Sequence, residues 1–374
     1  MYRSTAPQAG RLGGLDGGVA PCAVPEAVRT LPPLGVGPGH GARAWQAVAV
    51  TAAARAALLP HPPLLVPQLA GGAASELDAL RSACHQALDA VVPASSALVV
   101  IGDGPVWGVA ARTAVGSFAP YGTDVEVQLP PDRLGVDLPA LPEPHRLEAL
   151  PLSLAIVAWL LDSAAPAGRG RLVLVRDAAG DEALAVAGAP DRRLSVVPPA
   201  GEAPARSGSR AVDEAPVAGV DDAAVVSRRI PPLFACTIPA TLGPKAAVAI
   251  GRALIEAVSD RGPVGLIAMA DLSARRTEAA PGAFHPDAGA FDAGIARAFA
   301  SGDLTALAEL DPAQAAELQV GGRAVLQAVA GAMEGGGPLA GQVLYDEARY
   351  GVGYLVGTLE RRAVEAPGRA GERA

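Results

Sequence analysis

The sequence predicts an α/β protein: three α/β/α layers around a mainly parallel or mixed central sheet, in a single domain. Three observations lead there. The apolar runs "SALVVIGDG" (96–104), "RLVLVRD" (171–177) and "PVGLIAMADLS" (263–273) have strand length and lack polar alternation, as strands buried on both faces do. Helical patterns at 75–92 and 243–262 are interleaved with them. The chain has 374 residues, 50% of them hydrophobic, which is enough for a sizeable core.

Taken in order, residues 1–50 are rich in Gly, Pro and Ala with little periodicity, and read as a disordered extension. The domain is expected over 51–365. It opens with "AALLPHPPLLVPQLAGG" (56–72), a short apolar run that ends at His61 between Pro60 and Pro62. In "SELDALRSACHQALDAVV" (75–92), Ser75 is the expected N-cap with Asp78 three residues on. Leu77, Leu80, Cys84, Leu88 and Val91 share one face. Strand 96–104 then runs into a glycine-rich turn. "TDVEVQL" (123–129) alternates like a half-exposed strand, 144–164 reads as a helix, and 171–177 as a further buried strand. Residues 198–222 form a low-complexity insertion. Helix 243–262 closes at Gly262, and strand 263–273 follows. The C-terminal third reads as helical: Asp303 caps "LTALAEL", and Asp311 before Pro312 is a sharp helix start. A disordered tail is expected over 366–374.

Composition narrows the function classes. The net charge is −8, and no Lys/Arg cluster exceeds a pair, which argues against nucleic acid as a partner. The longest apolar run, 151–161, is too short to span a bilayer, so no membrane partner is expected. Cys22, Cys84 and Cys236 are far apart and form no Cys-x-x-Cys pair, which argues against a thiolate zinc site and fits a reducing cytoplasm. The start lacks a basic segment followed by an apolar one, so no secretory leader is expected.

In parallel sheets, sites form at the carboxyl ends of strands. Three polar segments fall there: "LLPHPP", "VVIGDGP" and "AMADLSARR". His61 can ligate a metal as a neutral imidazole or make a structural hydrogen bond. Asp103 is an oxygen ligand or a turn residue, and the absence of Gly-x-x-x-x-Gly-Lys excludes a phosphate-binding loop of that type. Asp271 and Ser273 end the third segment and are the catalytic candidates. Arg275 and Arg276 follow them, suited to a carboxylate-bearing substrate or to solvated capping. His285 lies on the loop "APGAFHPDAGAFD". No Gly-x-Ser-x-Gly elbow supports Ser-His-Asp catalysis.

Together these segments resemble the catalytic (B) subunit of class III extradiol ring-cleavage dioxygenases, the superfamily of the protocatechuate 4,5-dioxygenase beta subunit and Memo-like proteins. "LLPHPPLLVP" resembles that family's first strand and "ALVVIGDGP" its second. "GLIAMADLSARRTEAAPGAFHPDAGAFDAGIARAFASGD" resembles its Asp-Leu-Ser-His segment, Pro-Gly loop and following helix, and "YGVGYLVGTL" (350–359) its C-terminal strand. The resemblance spans about 52–360 and is weakest across 178–242. It implies Fe(II) held by two histidines and a glutamate, with a further histidine as acid/base. A facial triad of this kind leaves open positions for a catecholate and O₂. Residue by residue, His61 stands at the first ligand position. Gly104 stands where the second histidine belongs, with Asp103 as a possible substitute. Ala274 stands where the base belongs. The glutamate position falls near 317–329, where Glu317 comes about two helical turns early; His285 could also complete a set. The resemblance therefore leaves two expectations: a divergent Fe(II)-dependent ring-cleaving enzyme, or a catalytically silent relative that binds a small molecule or a protein. A homo-oligomer is compatible with either.

Overall fold

The structure is a computed structural model that describes residues 52–130, 134–163, 171–176, 182–187 and 230–362. The expected extension at 1–50, the insertion at 198–222 and the tail at 366–374 lie outside the described residues. The strands are β1 (Arg55–Leu59), β2 (Ala97–Asp103), β3 (Gly108–Ser117), β4 (Glu126–Gln128), β5 (His145–Ala149), β6 (Arg171–Arg176), β7 (Glu182–Ala187), β8 (Leu233–Ile238), β9 (Val264–Met269), β10 (Leu339–Glu347) and β11 (Tyr354–Arg361). The helices are α1 (Pro67–Ala70), α2 (Asp78–Val91), α3 (Leu152–Ser163), α4 (Pro244–Glu256), α5 (Ala288–Ser301), α6 (Leu304–Ala308), α7 (Pro312–Glu317) and α8 (Arg323–Ala332).

Nine strands form one mixed sheet in the order β10-β11-β1-β9-β2-β8-β3-β4, with β5 on β3. The four central strands, β1, β9, β2 and β8, are parallel, and antiparallel strands flank them on both sides. The central runs are apolar because both faces are covered. Ala57, Leu59, Leu98, Val100, Ile267 and Met269 pack with α2 and α3. Their neighbours Val99, Ile101, Leu266 and Ala268 are equally buried and point to the opposite face, since strand side chains alternate. On that face α8 packs on β2 and β9, α4 packs on α8, and α5 packs on β10 and β11. The α/β expectation is met, with helices on both sides of the sheet.

The close packing of α4 on α8 rests on two glycines. A Cβ at Gly251 would run into the backbone of Ala328, and a Cβ at Gly331 into the backbone of Val248. The helices meet backbone to backbone, as only glycine permits. α8 is buried along its whole length.

Several elements differ from the sequence expectation. The stretch 144–164 is not one helix. Residues 145–149 form β5, paired with β3, and the helix begins only after Pro151. Ser75 caps nothing; it lies in a 3-10 segment, and α2 starts at Asp78. Among the described residues β6 pairs with β7 in a two-stranded antiparallel sheet and with no strand of the central one. The C-terminal third is not wholly helical, since β10 and β11 close it as an antiparallel pair. Helix 243–262 ends at Glu256, and a 3-10 turn leads to Gly262 at φ +98. The capping expectations hold: Asp303 accepts from the Ala306 amide at 3.0 Å and Asp311 from the Gln314 amide at 2.7 Å.

Candidate functional site

Strand register brings the site together. Leu59 of β1 and Gly102 of β2 both pair with Met269 of β9. The chains leaving these strands therefore emerge side by side, and the Ala270 amide donates to the Leu59 carbonyl at 2.8 Å. The residues delivered to that edge are His61, Asp103 and Asp271.

The His61 backbone amide donates to Asp271 Oδ1 at 2.8 Å. Its ring lies between two carboxylates: Nε2 is 3.0 Å from Asp103 Oδ1, and Nδ1 is 3.7 Å from Asp271 Oδ1. The imidazole is 8% exposed, while the Asp103 and Asp271 side chains keep 29% and 24%. The cluster thus leaves the two carboxylates partly exposed and the ring buried. The Ser153 hydroxyl donates to the Asp103 carbonyl at 2.7 Å, and the Gly322 amide donates to the Asp271 carbonyl at 3.0 Å. A Cβ at Gly322 would collide with Ala270, so the start of α8 lies directly against the end of β9.

The electrostatics favour a protonated ring. Burial works to lower the His61 pKa, but the Asp271 charge, together with the hydrogen bond and charge of Asp103, raises it to about 9. Burial works to raise the Asp103 carboxyl, yet the His61 hydrogen bond and charge hold it below its ordinary range. Burial pushes Asp271 up, opposed by His61. Cys84 of α2 and Tyr354 of β11 are buried and feel the Asp271 charge, so they form part of the apolar wall behind it.

The remaining expected site residues make their contacts away from His61. Ser273 is fully buried. Its hydroxyl donates to the Leu318 carbonyl at 2.6 Å and accepts from the Arg275 amide at 3.1 Å. Arg275 donates to the carbonyls of Ala283 and Glu317. Arg276 pairs with the fully buried Asp292 at 2.8 Å. Both guanidiniums are thus tied into the loop architecture by these contacts. Glu317 and His285 form a pair of their own, with 3.4 Å between Oε1 and Nε2, and Glu317 is 62% exposed. Neither joins the His61 cluster through a hydrogen bond or ion pair.

Buried polar residues outside the sequence-based set complete the picture. Asp292 also accepts from the Ser273 amide at 3.1 Å. Arg323 donates to Gln327 Oε1 at 2.5 Å and to the Ala240 carbonyl, and the Gln327 amide reaches the carbonyls of Ala308 and Leu310. These groups anchor α8 and α5 beside the site. Each sits on an otherwise apolar helical face, a signal the sequence does contain.

The Fe(II) implied by the resemblance can be tested against these donors. Asp103 and Asp271 meet opposite edges of the His61 ring, and the two ring nitrogens point apart. Each ring nitrogen faces a different carboxylate, so the three side chains do not converge on one point. Among the described residues no group of three His, Cys, Asp or Glu side chains is placed to hold a metal. The second-histidine position is also closed, because a Cβ at Gly104 would lie 2.7 Å from the Thr237 Cβ. The residues do not fit a three-ligand iron centre.

No protein-family description matches the chain, and no curated protein does. Among solved structures it is similar to an uncharacterized protein, JW3007, from Escherichia coli K12. That similarity has 14% sequence identity and a TM-score of 0.40, and covers 81% of this chain and 98% of the other.

Proposed function

We propose that this chain is a metal-independent relative of the extradiol dioxygenases that binds a small molecule at the carboxyl edge of β1, β2 and β9. The supporting observation is the imidazole at the first ligand position the resemblance implies, with Asp103 Oδ1 3.0 Å from Nε2 and Asp271 Oδ1 3.7 Å from Nδ1. The cluster combines a His61 ring whose pKa is raised with an Asp103 carboxyl held low by His61 and an Asp271 carboxyl pushed up by burial. Its accessible groups are the two carboxylate edges, which accept hydrogen bonds from a ligand while the buried ring fixes their orientation.

Anaerobic loading of the full chain with Fe(II), followed by desalting and metal analysis, tests the reading. The expected result is iron far below one equivalent and no oxygen uptake with catechol. One equivalent of iron that disappears in His61→Ala would overturn it in favour of Fe(II)-dependent ring cleavage. A thermal-shift screen against a metabolite library tests the binding half. A ligand whose stabilisation is lost in Asp103→Asn is expected, and a screen without any such ligand would overturn that half.

A further inference from the structure

Helix α5 has two apolar faces. One, with Ala288, Ile295, Ala296 and Phe299, is buried in the core. The other borders a groove of about 410 Å³ between α5 and the α6–α7 segment, whose floor includes Ile295, Ala306 and Leu310. Along this second face Asp287, Phe291, Gly294 and Ala298 follow one another at spacings of four, three and four, a continuous stripe on a helix. Ala290 and Arg297 beside it are exposed, and Phe291 and Gly294 are half-buried. A Cβ at Gly294 would meet only the Arg297 guanidinium, 3.9 Å away, so the helix is open to close approach there.

The charges at the ends of the stripe are opposite. Asp287, with its side chain 70% exposed, stands at the N-terminal end, and Arg297 stands near the C-terminal end, folded toward Gly294. Asp287 is the N-cap residue but its side chain makes no cap hydrogen bond; Oδ2 lies 4.0 Å from His285 Nδ1 of the same chain, and the side chain stays largely exposed.

We infer that this face is the interface of a two-fold homodimer, with α5 packed antiparallel against α5 of a second copy. Antiparallel alignment that sets Asp287 opposite Arg297 of the second copy also sets Ala290 opposite Gly294. Both pairings occur twice, because a two-fold interface is self-complementary. The small residues let the helix backbones approach, and Phe291 of each copy enters the groove of the other beside Leu310. The charge pattern selects the antiparallel register, since a parallel arrangement would set like charges against each other.

Sedimentation velocity on the full chain over a range of concentrations tests this, with circular dichroism to confirm folding. The wild type is expected to sediment as a dimer. Asp287→Arg and Arg297→Asp should each weaken association at least about tenfold, and the double swap should restore it. Gly294→Glu, at a position with open space around it, should give a folded monomer. A monomeric wild type at every concentration would overturn the inference. So would a dimer that survives Gly294→Glu in folded protein, or single swaps that leave association unchanged.

Discussion

An imidazole whose two edges face carboxylates titrates unlike a free histidine. The Asp271 charge and the Asp103 hydrogen bond raise His61 to about 9 against the cost of burial. A histidine NMR titration should show one ring that remains protonated above neutrality, and in Asp103→Asn its midpoint should fall toward the ordinary value. At Gly104 the constraint is steric. Gly104→Ala should destabilise the protein by about 2 kcal/mol, and Thr237→Gly should relieve most of that penalty in a double-mutant cycle measured by urea unfolding. The three residues of the cluster were legible in sequence because each directly follows or ends an apolar strand. The roles of Ser273, Arg275 and Arg276 were not. Their partners Leu318, Glu317 and Asp292 lie 45, 42 and 16 positions away, a distance no local pattern spans.

Among the elements, the α4–α8 crossing is the least forgiving contact. Gly331→Ala would press a methyl group into the backbone of Val248, which cannot rotate aside as a side chain can. A loss of about 3 kcal/mol in urea unfolding is expected, against about 1 kcal/mol for Asp311→Ala, which removes one cap hydrogen bond. The elements legible in sequence were those with one dominant signal: continuous apolar runs for β1, β2 and β9, a single apolar face for α2, and Asp-Pro for α7. β5 escaped because only Leu147 of "HRLEA" is shielded, so nothing marks it as a strand before the helix. β10, "LAGQVLYDE", mixes polar and apolar residues and has a register shift near Val343, which breaks its period of two.

For the whole molecule the raised His61 pKa has a definite sign. A histidine that binds its proton more tightly when folded contributes stability that is fully present below about 6.5, its pKa in the unfolded chain. That contribution is lost as pH rises through about 9. The linkage is at most about 3 kcal/mol. Urea midpoints measured from pH 6 to 10 should therefore fall more steeply for wild type than for His61→Ala, and parallel curves would refute the charge assignment.

The central position of β1 has a consequence for how the chain is made. Its neighbours are β9 and β11, and the amide of His61 finds its acceptor 210 positions further on. A ribosome that has translated only the first half of the message has produced a strand with nothing to zip to. Closing so large a loop is slow, which calls for shielding by chaperones during synthesis. Truncation before residue 264 should yield insoluble material rather than a smaller folded protein.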